Sequence, residues 1–181
     1  GVQQTLTVYM VGFALMSLWH GALSDAYGRR KIILVFTALY ALASVVCACS
    51  SSIEMLWFGR LLQGLFGGAG SVVGRAIVRD VFSGPQAQRV MSQVTMVFVL
   101  GPAIAPILGG WIMTVAGWRA IFWFLAAVGA GLTFWCYRAL PETLPQTQRQ
   151  AFKPKPLIQG YITIFSSLSF GLLTLAVSFN F

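Results

Sequence analysis

"HGALSDAYGRRKII", residues 20–33, sets one acid and three consecutive bases between two long apolar runs. The chain holds only 12 Lys and Arg in 181 residues, so this short stretch takes a quarter of them. The surroundings are oily: 57% of residues are hydrophobic and 9% charged, against about 25% charged in a soluble domain. A net charge of +8 can signal a nucleic-acid partner. Here nearly every base sits at the end of an apolar run instead, which excludes that reading. Cys47, Cys49 and Cys136 lie inside apolar runs, and no metal-ligand spacing joins them to the single histidine, His20. They read as small packing residues, and neither a metal nor a cofactor is expected.

A helix needs about 20 mostly apolar residues to cross the hydrocarbon layer. Five segments qualify: Val2–Trp19, Ile32–Ser50, Met55–Gly74, Val90–Thr114 and Ala120–Tyr137. A sixth run, Leu168–Phe181, is too short. Alternating segments of barrel type are not visible, so the expected fold is an all-α integral membrane bundle. Ten of the twelve bases flank the first, third and fifth connections. Bases gathered on alternate connections mark the cytoplasmic side, which places 20–31, 75–90 and 138–156 in the cytoplasm of a multi-pass inner-membrane protein. Trp19, Trp57, Trp111, Trp118 and Trp135 near the span ends suit the headgroup region. The stretch "RALPETLPQTQRQAFKPKP" is rich in proline and polar residues. It predicts a linker over 139–156 between a partial amino-terminal bundle, 1–138, and the start of a second unit, 157–181. "LIQGYITIF" within that unit reads as a short interfacial helix. No basic leader precedes the first run, and both ends suggest a fragment of a longer chain.

Within "GALSDAYGRRK", Gly21 and Gly28 permit close approach of helix ends, and Asp25 can pair with a nearby base. Arg29, Arg30 and Lys31 hold the stretch at the cytoplasmic face. An ordinary positive-inside loop needs the bases alone, not the spacing G-x-L-x-D-x-x-G-R-R-K. That spacing resembles the signature loop between the second and third helices of the major facilitator superfamily. The resemblance implies that Val2–Trp19 is the second helix and that this loop serves a cytoplasmic latch. Asp80, at the cytoplasmic end of the third span, is the expected partner of Arg29 or Arg30 in that latch.

Two more stretches follow in order. "LWFGRLLQGLFGGAG" resembles the fourth-helix pattern, with Arg60, Gln63 and Gly64 in place. Arg60 lies roughly 7–8 Å inside its span at helical rise. A charge there faces a partner or a watery cavity, or else snorkels to the interface. In "LGPAIAPILGGWI", Gly101, Ala105 and Gly109 share one face with Pro102, Pro106 and Gly110, and the prolines are expected to bend or open the helix. This small-residue face suits close helix packing. It resembles the fifth-helix motif associated with antiporters of the superfamily. Together with "TLTVYMVGFAL", "RAIVRDVF", "GWRAIFWFLA" and "LPETL", these stretches resemble the bicyclomycin/chloramphenicol-resistance (Bcr/CflA) family of drug:proton antiporters along essentially the whole chain.

The resemblance implies alternating access by two bundles of inverted repeats, in which inward protons drive drug-like substrates outward. The expected partners are small hydrophobic drugs, protons and the lipid bilayer, and the full-length protein is expected to be monomeric. The substrate and proton pathway is assigned to Tyr9, Phe13, Arg60, Gln63 and Met96, since aromatics and Met give adaptable apolar contacts. All four acids, Asp25, Glu54, Asp80 and Glu142, lie at span ends. The proton-carrying carboxylate is therefore expected in a preceding first helix, facing Arg60. An uptake symporter for a small metabolite shares the loop motif but not the Gly/Pro face. An intramembrane enzyme lacks a suitable base or acid cluster.

Overall fold

The computed structural model describes residues 2–167 and Phe170. Its helices are α1 (Val2–Tyr27), α2 (Arg29–Ala48), α3 (Ile53–Gly67), α4 (Ala69–Val81), α5 (Gly84–Ala116), α6 (Trp118–Ala139) and α7 (Pro154–Phe165), with a 3-10 turn at Gln146–Gln148. Among the described residues there is no strand. Helices α3 and α4 follow one another across Gly68 and make one candidate span, Ile53–Val81, so five spans are long and apolar enough to cross a membrane.

The expected span count holds, and the boundaries move outward. Helix α1 continues through Ser24 and Asp25 to Tyr27, and α2 begins at Arg29. The expected loop at 20–31 is thus a single residue, Gly28. The connection expected at 75–90 shrinks to Phe82 and Ser83, because Arg75, Arg79 and Asp80 lie within α4. Apolar windows stop at the first charge. A helix need not, since its backbone bonds are internal and its polar ends stand in water or headgroups. Helix α5, at 33 residues, reaches roughly 50 Å at helical rise, well beyond the hydrocarbon. It also runs on through Pro102 and Pro106 without opening, the alternatives expected there being a bend or an opening.

In lipid, apolar area does not drive helices together, so close approach at small residues must do so. On α1 and α3 that approach is extreme. A Cβ on Gly12 would stand 2.7 Å from the Leu61 carbonyl oxygen, and one on Gly64 would overlap the Tyr9 carbonyl. Gly59 meets Cys47 Sγ of α2 in the same manner, at 2.6 Å. Ile32, Ile33, Phe36, Ala69 and Val73 form the core between α2 and α4, with Met16 and Leu23 of α1 and Cys136 and Leu140 packed on it. Inside these spans the hydroxyls bond to their own helix: Ser17 to the Phe13 carbonyl, Thr37 to Ile33, Thr133 to Gly129. Such bonds keep polar atoms satisfied away from water. At the other end of the bundle, Ser52 caps α3 by accepting from the Met55 N–H. Arg119 donates to the Ser50 carbonyl at 2.9 Å, joining the second and fourth connections.

The chain forms two compact units, 1–149 and 150–181. The first part of the expected linker falls in the first unit, where Leu144 is buried. The second unit carries α7, which includes the helix expected at "LIQGYITIF". The apolar run Leu168–Phe181 lies, but for Phe170, outside the described residues.

Candidate functional site

The glycine contacts between α1 and α3 set Tyr9 against Arg60. The Arg60 guanidinium stands over the Tyr9 ring at 4.5 Å and near the Phe122 ring at 6.0 Å, distances at which a ring face attracts a cation. Phe13 stacks on Tyr9, with ring centroids 6.2 Å apart. On its other side Arg60 Nη1 donates to Gln63 Oε1 at 3.0 Å. Gln63 Nε2 donates to Ser44 Oγ at 2.7 Å, and Ser44 donates to the Tyr40 carbonyl at 2.8 Å. Cys47 Sγ also reaches Gln63 Oε1, at 3.7 Å. Gln63 is fully buried and links Arg60 to Ser44 of α2. Among the described residues no carboxylate pairs with Arg60. A guanidinium carries five donors, and Gln63 accepts from one of its nitrogens.

The structure thus brings together Tyr9, Phe13, Arg60 and Gln63. It does not bring Met96, which is 65% exposed on α5. Phe122, Ser44 and Tyr40 belong to the cluster and were missed. A serine and a tyrosine inside an apolar run were the only sequence signal for the last two. A small cavity of about 310 Å³ opens beside them, lined in part by Tyr9, Tyr40, Phe66 and Leu125.

The basic end has a second cluster. Arg29 is buried, 8% exposed. Its Nε donates to Asp80 Oδ2 at 3.0 Å and its Nη1 to Ser24 Oγ at 2.6 Å, while Asp25 pairs with the same Nη1. Thr143 donates to Asp80 as well, at 3.3 Å. The Arg29 backbone N–H, unpaired within α2 as at any helix start, donates to Glu142 Oε1 at 2.9 Å. Glu142 also pairs with Arg149 at 3.4 Å. Gly28 makes this geometry possible. Its φ of 99° lies where only glycine is unstrained, and a Cβ would run into the Glu142 carboxylate. Gly21, by contrast, has nothing nearer than Val72 at 3.9 Å from a Cβ, so close approach does not require it.

Of the two expected partners of Asp80, Arg29 is the one engaged. Arg30 turns away and donates to the Tyr137 carbonyl at 2.8 Å. Glu142 was the missed member of this cluster, and its only trace in the sequence was "LPETL". Of the face at Gly101, Pro102, Ala105, Pro106, Gly109 and Gly110, a Cβ on any of the three glycines would meet no atom of the described residues within 4 Å. His20 is fully buried against the Phe36 ring, 4.8 Å between centroids, and Gly68. It was expected at a cytoplasmic end.

The whole chain, residues 1–181, matches the Major Facilitator Superfamily. It is 33% identical over 180 residues to a bicyclomycin resistance protein homolog of Haemophilus influenzae, covering 99% of this chain and 45% of that protein. With multidrug resistance protein D of Escherichia coli it shares 32% identity over 169 residues, 93% of this chain and 42% of the other. The solved structure of the human organic anion transporter MFSD10 (TETRAN) superposes with a TM-score of 0.69 at 30% identity, over 80% of this chain and 33% of that one. The chain therefore spans under half the length of the curated relatives it matches. With five apolar spans, two helices joined through a single glycine and a part-buried arginine on the third span, it belongs to the major facilitator superfamily of multi-pass membrane transporters.

Proposed function

We propose that this chain is part of a proton-coupled drug exporter working by alternating access, without enzymatic activity or a bound cofactor. The observation that carries the reading is Arg60. Its charge lies inside a span, is held by a buried glutamine and an aromatic face, and lacks a carboxylate among the described residues. A part-buried cation within a span needs a counter-charge, and charges within spans mark ion and substrate paths. The rest of the protein supplies a carboxylate that faces Arg60 when ionised and leaves it when a proton or drug takes its place. Tyr9 and Phe13 give the apolar contacts for the drug. The names of the bacterial relatives, bicyclomycin resistance and multidrug resistance, support substrates of that kind. The Arg29–Asp80 pair and the Glu142 contact act as the latch at the cytoplasmic end, broken as the two halves rock.

The test uses the whole protein in inverted membrane vesicles, recording proton release from the lumen on addition of candidate drugs. Drug-dependent release lost in Arg60→Ala places Arg60 in the coupling path. Release that persists in the variant demotes it to packing. A second reading has an observation of its own: an arginine without a carboxylate also suits an anionic substrate. Uptake of a labelled organic anion that depends on Arg60, with no proton release on drug addition, would favour it.

A further inference from the structure

A groove of about 610 Å³ runs between α2 and α6, lined by residues 34–45 of the first helix and 126–137 of the second. Its floor is small: Ala38, Ala41, Ala126 and Ala130. The helices come close there, since a Cβ on Gly129 would lie 3.1 Å from that of Ala41. Leu34, Leu42 and Phe134 make the walls. Two polar side chains line it: Thr133, whose hydroxyl bonds to Gly129 and Thr37, and Tyr137 at the groove's end. The rest of the lining is apolar. Leu34 to Val45 spans roughly 16 Å at helical rise, about one leaflet of a hydrocarbon layer near 30 Å thick.

One end of the groove is cationic. Arg30, in the first turn of α2, reaches Tyr137 at the groove's end with its guanidinium 5.6 Å from the ring centroid. Arg138, in the last turn of α6, stands 5.1 Å from the Phe134 ring. Both rings line the groove. The acids of this end are engaged elsewhere, Asp25 and Asp80 with Arg29 and Glu142 with Arg149. Among the described residues no carboxylate pairs with Arg30 or Arg138, and Arg30 Nε is buried without a partner. Two uncompensated guanidiniums above a leaflet-deep apolar slot match a phosphate above an acyl chain.

We propose that this groove is a binding site for an anionic phospholipid of the cytoplasmic leaflet, one acyl chain lying between α2 and α6 and the phosphate held by Arg30 and Arg138. The leaflet is the one in which anionic lipids meet basic residues at the membrane surface.

The test is photolabelling of the full-length protein in phosphatidylcholine vesicles. They carry a minor share of either phosphatidylglycerol or phosphatidylcholine with the same photoreactive acyl chain. The anionic lipid is expected to label peptides covering 34–45 and 126–137 on the order of tenfold more than the zwitterionic one. That excess should disappear in the double variant Arg30→Gln, Arg138→Gln. It should also fall in Ala38→Phe, which fills the floor and keeps both charges. Equal labelling by the two lipids in the unaltered protein, or an excess that survives the double variant, overturns the proposal. The first comparison needs no variant, so a variant that fails to fold does not remove the test.

Discussion

Arg29 and Arg60 are both arginines tucked into a helical bundle, and the molecule treats them in opposite ways. Arg29 meets two carboxylates, a hydroxyl and, through its backbone N–H, a third carboxylate. Arg60 meets one neutral amide and two aromatic faces. Four segments of unit 1 converge on the first, α1, α2, α4 and the stretch after α6. Removing one partner of such a set strands the others, whereas Arg60 has neutral neighbours that can tolerate its loss. Arg29 is charge-compensated within the chain, and Arg60 lacks a carboxylate among the described residues.

The largest expected effect is on the compensated side. Arg29→Ala leaves Asp25 and Asp80 facing each other and should cost about 3 kcal/mol, towards the lower end for a buried pair because Asp25 is partly exposed. It should be read as a lowered melting temperature of the detergent-solubilised protein. A melt unchanged from the parent would break the comparison. Next, Gly28→Ala forces a Cβ into the left-handed region and against Glu142, for about 1–3 kcal/mol in the same melt.

On the other side the readouts separate. Gln63→Leu removes Arg60's one hydrogen-bond partner while Ser44 keeps its bond to the Tyr40 carbonyl. Thermal stability should move by no more than about 1 kcal/mol, while drug-driven proton release falls. Loss of both together would make Gln63 a structural residue. The smallest effect belongs to Glu142→Gln. The amide oxygen still accepts from the Arg29 N–H, and only the partly exposed pairing with Arg149 is lost, below about 1 kcal/mol. A larger drop would give the carboxylate charge a role in the Arg29 cluster that its distances do not suggest.

Much of this was legible in the chain itself. Hydropathy alone locates five spans, because the cost of exposing polar backbone to lipid leaves a helix as the only solution for each apolar run. The asymmetry of the bases orients them. Gly28, Arg29, Asp80 and Arg60 could be named because a charge or a glycine at such a place is expensive without a reason. Met96 could not be judged, since a methionine in an apolar run costs the same on either face of its helix. Helix ends were misjudged for a related reason. Charges end a hydropathy window without ending the hydrogen-bond ladder, so α1 and α4 each run past the expected border.

The sequence by itself thus determined the number of spans, their orientation and the places where charge enters the membrane, all of which follow from transfer free energy residue by residue. Tertiary structure alone decided which charges are paired. The Glu142 carboxylate lies 113 residues from the N–H it accepts from, and Gln63 reaches across 19 residues to Ser44. The opening between α2 and α6 likewise exists only because two alanine-rich faces meet. Pairing and packing depend on which helix faces come within a few ångströms, and no single helix carries that information.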